Sequence, residues 1–434
     1  MKISSTSSRA AGTRKKVLRR AVVAAIAMAS AVLLAACSST GGSSGTRTIS
    51  VWTWYGNQGM PNNTPLAAEF EKSHPGVKVN IRTFGSTTDY APALAAAVAA
   101  GKTPDIFGPS FSAISYGQKG VALDVKKALG SDFLSQFFQA DNDQFSSGGK
   151  QYGIGWNAQS FGLFYDPAVL AKIGIQPPQT WDDLIADAPK IRAAGYIPLT
   201  VPSSPSYGLA DFVGPLITQA SNDPTLLLKI DSQEDGKSWK DPAVVAALDK
   251  FQQLVKGGVF DSGLLAVTYS SAEQLLTTGK TAFLWDGSWV PADLKASSPN
   301  FKYDVAPNPA WKAGAKHWTG DQAGASLSVS ATSADMKDTL DFIKFIYQKD
   351  RYSSTLNAAQ AMPATEAAAA DVADPHVKTM TSWLVDGLGA PHILYGAGSE
   401  SGLSDVCVAI VEGKTTPVDA AASIQAAVDK AKSK

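Results

Sequence analysis

Between residues 48 and 107, three strand-like runs alternate with two helix-like ones, and this order limits the fold more than any other feature of the 434-residue chain. Thr48-Ile49-Ser50-Val51-Trp52-Thr53-Trp54 alternates as a half-buried strand does. Thr64-Pro65 then opens a helix, with Thr as the cap and Pro in the first turn, where its missing N–H costs nothing. His74-Pro75-Gly76 ends it. A second strand over 77–84 places Val77, Val79 and Ile81 on one face. An alanine-rich helix over about 91–100 and a short strand at 105–107 complete a βαβαβ order. Such an order predicts an α/β fold, a mostly parallel sheet with helices on its faces.

The pattern resumes after a Gly-rich joint, Gly148-Gly149-Lys150-Gln151-Tyr152-Gly153-Ile154-Gly155. Strands are expected at 161–165 and 281–285. Helices are expected from Thr180-Trp181-Asp182-Asp183 to about 194, from Asp241-Pro242 to Gly257-Gly258, over 335–348 and from Thr416-Pro417 onward. The length suits two to three domains or one large bilobal unit.

The N-terminus reads as an export signal. Residues 1–36 hold seven basic residues and no acid, and the stretch 21–36 is apolar apart from Ser30. That run is shorter than the roughly 20 residues a membrane span needs. A basic segment, a short apolar segment and small residues at the cut describe a secretory signal. It ends in Leu34-Ala35-Ala36-Cys37, which resembles the bacterial lipobox, whose Cys is lipidated and becomes the first mature residue. The other reading of Cys37 is an ordinary buried thiol. The Ser/Gly-rich stretch 37–46 is a flexible tether. Two acyl chains suffice for stable anchoring. Arg19-Arg20 leaves twin-arginine export open beside the general route.

Charge and cysteine content agree with that reading. Removing the seven basic residues of 1–36 from 38 leaves 31 against 38 acidic ones, a net of −7. A chain with that balance has no general attraction for nucleic acid. With Cys37 lipidated only Cys407 remains, in an apolar stretch, so no intrachain disulfide can form.

Motifs of enzyme chemistry are missing. Gly-Lys-Thr occurs at 101–103, 279–281 and 413–415, but a phosphate-binding loop needs a Gly five residues before its second one. Ala96, Gln274 and Val408 stand there, so all three triplets read as helix C-caps. There is no G-x-S-x-G elbow, and His74, His317, His376 and His392 form no H-x-x-x-H pair. No cofactor or metal is expected. Glycosidase carboxylates stay possible, since 31 Asp and seven Glu offer many pairs.

Aromatic residues at strand ends and turns remain. Trp54 ends the first strand, Trp156 follows the Gly-rich joint, and Trp285 and Trp289 bracket Asp286-Gly287-Ser288. Ligands of open α/β sheets bind outside the strands' carboxyl ends. Aromatic rings there suit the apolar face of a sugar, and neighbouring Asp, Asn and Ser suit its hydroxyls. Trp52 and Trp181 read as packing residues, whereas Trp54, Trp156 and Trp289 read as ligand contacts.

With these residues in view, the mature chain resembles the extracellular solute-binding proteins of the carbohydrate type, which serve ATP-driven importers. The resemblance covers nearly all of 47–434. It rests on Ile49-Ser50-Val51-Trp52, Phe70-Glu71-Lys72-Ser73-His74-Pro75-Gly76-Val77-Lys78-Val79, Pro104-Asp105-Ile106-Phe107, Tyr152-Gly153-Ile154-Gly155-Trp156-Asn157, Pro177-Pro178-Gln179-Thr180-Trp181-Asp182-Asp183-Leu184 and Gly287-Ser288-Trp289, in that order.

The resemblance implies a two-lobed periplasmic-binding-protein-like fold with a hinge and a central ligand cleft. Lobe one would be 47–153 with 306–353, and lobe two 154–305 with 354–434, with crossings near 153–156, 304–307 and 353. It implies ligand contacts from Trp54, Tyr55, Asn57, Phe84, Asp89, Gly108, Ser110, Trp156, Asn157, Tyr207, Asp211, Asp286, Ser288, Trp289, Gly320, Asp321 and Tyr395. No Lys or Arg is among them, and an anionic ligand would want a basic fork. The implied partners are a small-molecule carbohydrate and an ABC importer's permease subunits with a separate ATPase. The protein would be a monomer at the outer face of the cell membrane, held there only by lipid. A cell-surface glycoside hydrolase or a glycan-binding lipoprotein is the alternative.

Overall fold

In the structure, a computed structural model, residues 46–54, 64–109, 112–204, 207–392 and 396–433 are described. They belong to one unit, Thr46–Lys434. Their strands are β1 (Arg47–Thr53), β2 (Val77–Thr83), β3 (Ile106–Phe107), β4 (Ser146–Ser147), β5 (Lys150–Gln151), β6 (Ile154–Tyr165), β7 (Ile197–Thr200), β8 (Thr281–Gly287), β9 (Asp304–Pro307), β10 (Thr319–Val329), β11 (Met362–Pro363) and β12 (Gly389–Pro391). All but the β4–β5 hairpin join one mixed sheet in the order β2-β1-β3-β10-β6-β8-β7. β11 and β9 are added to β6, and β12 to β10.

The parallel pairing expected from the βαβαβ order is present at both ends. β1 runs parallel to β2 and β3, and β7 parallel to β8. The centre differs: β10 is antiparallel to β3 and β6, and β6 is antiparallel to β8. Two long strands thus carry the sheet from one end to the other. β6 begins seven residues before the strand expected at 161–165, because Ile154 to Phe164 is buried throughout and shows no apolar–polar alternation.

Local chemistry accounts for the helix ends. Thr180 and Asp183 form a reciprocal capping box, with Asp183 N–H on Thr180 Oγ1 at 3.1 Å and Thr180 N–H on an Asp183 carboxyl oxygen at 2.9 Å. Pro242 and Pro417 occupy first turns behind Asp241 and Thr416 caps. All three Gly-Lys-Thr triplets close helices. Gly101, Gly279 and Gly413 have φ of +65°, +61° and +69°. The following Lys102, Lys280 and Lys414 N–H groups reach back to Ala97, Leu275 and Ala409 carbonyls at 2.8 Å. This 6→1 bond with a left-handed Gly is the Schellman cap, a structural use that leaves no phosphate loop.

Three apolar clusters fill the space between sheet and helices. One surrounds Trp181, Phe212, Trp239, Phe251 and Trp285. Another runs from Ile49 and Phe70 through Trp156 and Leu327 to Tyr352 and Met380. The third is small and aromatic, with Trp54, Phe84, Tyr90, Phe107 and Tyr152 at the carboxyl ends of β1–β3. As expected, Trp181 is a packing residue. It is 1% exposed, and its indole N–H donates to Gln219 at 2.7 Å. Cys407 is a free, buried thiol, as its apolar stretch implied.

Candidate functional site

The carboxyl ends of β1 and β3 are tied together before any ligand is considered. Gly108 N–H donates to the Trp52 carbonyl at 3.0 Å, and Tyr90 Oη donates to the Gly108 carbonyl at 2.8 Å. A β-carbon on Gly108 would lie 2.8 Å from the Trp54 ring, so glycine is what lets that ring lie flat on the backbone. Trp54 also packs on Tyr90 at 4.4 Å and is 8% exposed. Phe84 meets Tyr90 edge-on at 5.2 Å, with the Arg82 guanidinium 4.2 Å above its ring. These residues build a rigid aromatic floor. Asp89 is exposed and answers Ser86 at the start of the helix Thr87–Ala99: its N–H reaches Ser86 Oγ at 3.1 Å, and its carboxylate accepts from the same hydroxyl at 3.0 Å. Its role there is capping.

The central strands position two amides. Asn157 and Gln159 lie two apart on β6 and so share a face. Opposite them the ladder with β10 slips around Gly324. A β-carbon on Gly324 would come within 2.6 Å of both amide side chains. The bulge glycine therefore makes the room they occupy. Asn157 Oδ1 accepts from Ala325 N–H at 2.9 Å, and Gln159 Oε1 accepts from Gln322 Nε2 at 2.7 Å. Both amides are thereby oriented.

β8 delivers the remaining wall. It runs through Asp286 and Gly287, and Ser288 N–H donates to the Ser160 carbonyl at 2.9 Å. Trp289 is the cap residue of the helix Val290–Ser297. It is half-buried, edge-on to Phe161 at 5.4 Å and to Tyr269 at 6.0 Å. Asn157, Gln159, Ser288, Trp289, Asp293, Gln360 and Met362 line a cavity of about 230 Å³. It is somewhat smaller than the roughly 300–1,000 Å³ of ordinary small-molecule sites. An indole, three amides, a hydroxyl and a carboxyl with no basic side chain are suited to a polyhydroxylated, non-anionic molecule.

Of the residues expected at the ligand, Asn157, Ser288 and Trp289 come together in this cavity, and Trp54, Phe84 and Gly108 in the aromatic floor. Trp156 is a correction. Its ring is 0% exposed and packs edge-on against Tyr347 at 5.5 Å and Tyr352 at 5.2 Å. A ring on the core face of a central strand has no open side for a sugar. Asp286 and Asp321 are each 1% exposed and so are interior carboxyls in this structure, and Gly320 lies under the His392 ring. Burial pushes Asp321 up to about 8 and Asp286 well above the carboxylate range. Asp211 lies in the helix Tyr207–Ser221, where burial and the nearby Glu400 push its carboxyl up to about 7. Tyr55, Asn57, Ser110, Tyr395 and Cys37 lie outside the described residues, as does the side chain of Tyr207.

The sequence reading missed Gln159, Asp293 and Gln360. Gln159 had a signal, the two-residue spacing from Asn157 on a strand. Gln360 had none, since it closes the helix Lys349–Ala359 with φ +50° and is brought to the cavity only by the tertiary fold.

Among the described residues no group of His, Cys, Asp and Glu is placed to hold a metal, and no helix is long and apolar enough to cross a membrane. A two-ended α/β sheet bridged by long strands, with an aromatic and amide-lined cavity beside the bridge, is the architecture of a protein that holds a solute. The chain belongs to the bacterial extracellular solute-binding protein family, whose model matches residues 63–351. It is 26% identical over 289 residues to the melibiose/raffinose/stachyose-binding protein MelE of Bacillus subtilis, covering 65% of each chain. It is 21% identical over 287 residues to the multiple sugar-binding protein of Streptococcus mutans, covering 65% of this chain and 66% of that protein. Among solved structures, RafE of Streptococcus pneumoniae in its apo form matches with a TM-score of 0.74 at 18% identity, over 91% of this chain and 100% of that one. The GacH receptor of Streptomyces glaucescens matches with a TM-score of 0.70 at 22% identity, over 89% and 98%. The fold is the two-lobed one of these neighbours. The relatives are binding proteins, and the chain is a binding protein and not an enzyme.

Proposed function

We propose that the mature protein captures a sugar or oligosaccharide outside the cell and delivers it to the permease of an ABC importer that carries a separate ATPase. The observation that carries this reading is the half-buried Trp289 ring beside the oriented Asn157 and Gln159 amides, with no basic group in the cavity. A stacked ring supplies affinity without fixing a hydroxyl pattern, and the amides supply the pattern. Relatives whose names specify melibiose, raffinose and stachyose, and RafE solved with raffinose, support a saccharide ligand.

In this reading the protein works as a monomer. Lobe one is 47–153 with 306–353, and lobe two is 154–305 with 354–434. β6 starts at Ile154 and β9 spans Asp304–Pro307, which suits two of the crossings. The third, at Ser353, is helical, because Ser353 lies inside Lys349–Ala359. β10 adds a further link, pairing with β3 at Ser328 and with β12 at Thr319–Asp321. Closure about these segments would bring the aromatic floor of lobe one to the Trp289 wall of lobe two. Cys37 carries the lipid that keeps the protein at the outer face of the membrane.

A thermal-shift screen of residues 46–434 against mono- to tetrasaccharides tests the reading. A saccharide that raises the melting temperature in proportion to log concentration supports it. A panel without a hit, together with a shift from amino acids, peptides or polyamines, would replace it with another solute.

A further inference from the structure

The helix Lys349–Ala359 ends in the same turn that closes the three Gly-Lys-Thr helices: Ala361 N–H reaches back to the Leu356 carbonyl at 3.0 Å. The left-handed position, a glycine in those three, is here Gln360, with φ +50°. A residue with a β-carbon is strained there, and glycine is not. Gln233 has the same conformation at the end of the helix Leu226–Ser232, with φ +57°, and its Oε1 accepts from Lys432 at 2.6 Å. The Gln360 amide is only half used. Its Nε2 donates to Asp374 Oδ2 at 2.9 Å, and its Oε1 and second N–H have no partner among the described residues. Asp374 is itself fixed, because its other oxygen caps the helix Pro375–Val385, accepting from His376 N–H at 2.9 Å and Val377 N–H at 3.1 Å. The unused half of the amide is therefore held in one place.

Gln360 and Ala361 stand between two open cavities. One is the Trp289 cavity of about 230 Å³; the other, of about 270 Å³, is lined in addition by Lys295, Asn357, Val372, Asp374 and Pro375. Each falls short of the roughly 300 Å³ at which ordinary small-molecule sites begin, and the two together exceed it. The second cavity holds one basic and one acidic side chain, so it carries no net charge.

We propose that the two cavities are neighbouring subsites for one neutral oligosaccharide, and that Gln360 is the residue that selects the unit lying beyond the ring on Trp289. The proposal rests on the saccharide reading above and narrows it. With one unit on the aromatic floor of lobe one and one on Trp289, the unit in the Asp374 groove makes the preferred ligand a trisaccharide or longer. Gln360 Oε1 accepts from a hydroxyl of that unit, and its second N–H donates to another. Asp374 is a positioning residue: it touches no sugar in this account and acts by holding the Gln360 amide.

The test titrates the protein with melibiose, raffinose and stachyose, and with the di-, tri- and tetrasaccharides of α-1,4-glucose, β-1,4-glucose and β-1,4-xylose. In the series that binds most tightly, the trisaccharide should bind wild type about tenfold tighter than the disaccharide. Gln360→Gly should remove most of that gain and leave the disaccharide's affinity unchanged. Its unliganded melting temperature should hold or rise, because glycine is unstrained at this position. Asp374→Asn still caps the helix, but its single carbonyl oxygen is taken by the cap, so the gain should shrink there too while the disaccharide binds as before. If Gln360→Gly does not fold, Gln360→Asn replaces it, since asparagine tolerates the left-handed region and is one methylene too short to reach Asp374. Equal affinity of wild type for di- and trisaccharide, a gain that survives the change at 360, or an equal loss for both lengths each overturns the assignment and leaves the saccharide function standing. A gain lost in Gln360→Gly and kept in Asp374→Asn overturns the positioning role of Asp374. If no member of any series binds, the saccharide reading falls and this one with it.

Discussion

The Trp289 ring lies directly over Gly287, so closely that a β-carbon at 287 would be 2.1 Å from the ring's Cζ3 and 2.2 Å from its Cη2. The clash is with the six-membered-ring edge of a rigid indole, which has no flexible end to give way. Gly287→Ala should therefore swing the ring out of its place against Phe161 and Tyr269. Overpacking of this kind costs about 1–3 kcal/mol. A melt should show a loss of that order, and the affinity for the best saccharide should fall with it. Unchanged affinity in Gly287→Ala would mean that the ring's present position is not the one the ligand uses.

Asp141 and Asp321 form a second relationship with a measurable consequence. Each is 1% exposed, and none of their four carboxyl oxygens has a hydrogen-bond partner. Burial pushes both up, Asp321 to about 8, and the charge of Asp321 adds to the rise at Asp141. The folded protein thus holds protons that the unfolded chain gives up near pH 4. Stability is complete below that value and is lost as pH climbs toward about 8. His392 acts in the opposite sense. Burial holds its imidazole down to about 4, so acid destabilises the fold between roughly pH 6.5 and 4. The clean window for the carboxyls is therefore above pH 6.5. Asp321→Asn removes one titration, and its melting temperature relative to wild type should rise between about pH 6.5 and 8.5. A gap that stays constant across that range would show that the pair is not held protonated.

The proposed lipidation of Cys37 predicts where the protein is found. Expressed in its own host, wild type should fractionate with membranes, and Cys37→Ala should appear in the soluble extracellular fraction or the medium. Equal membrane association of the two would refute the anchor. The sugar-binding reading would survive, because it depends on residues of 46–434.

Much of the local structure was legible in the chain, because its signals are local. Thr180 with Asp183, Thr416 before Pro417, and the three Gly-Lys-Thr turns act through bonds a few residues long, and each appears as expected. Trp181, expected as a packing residue, is one. The antiparallel centre of the sheet was not, since the pairing of β6 with β10 joins residues more than 150 apart in sequence. Trp156 and Trp289 look alike in sequence, each an aromatic beside Gly and Asn or Ser. What separates them is the face of the strand or turn on which they stand. Trp156 points into a cluster with Tyr347 and Tyr352, whereas Trp289 caps a helix at a cavity's edge. Asp286 and Asp321 are expected as ligand contacts only by the family resemblance, through their place in the matching segments. Their burial depends on helices that return to the sheet from elsewhere in the chain.

The most direct test of the central claim is a calorimetric titration of wild type and Trp289→Ala with the best saccharide from the screen, paired with melts of both proteins without ligand. The indole should contribute its stacking and the apolar area it buries, about 2–4 kcal/mol in all, so the variant should bind about 30- to 1000-fold more weakly. Because the ring is only half-buried, the unliganded melt should fall by no more than a few degrees. Near-normal affinity in Trp289→Ala, with a large loss of melting temperature, would show that the ring is a packing residue and that the sugar is bound elsewhere.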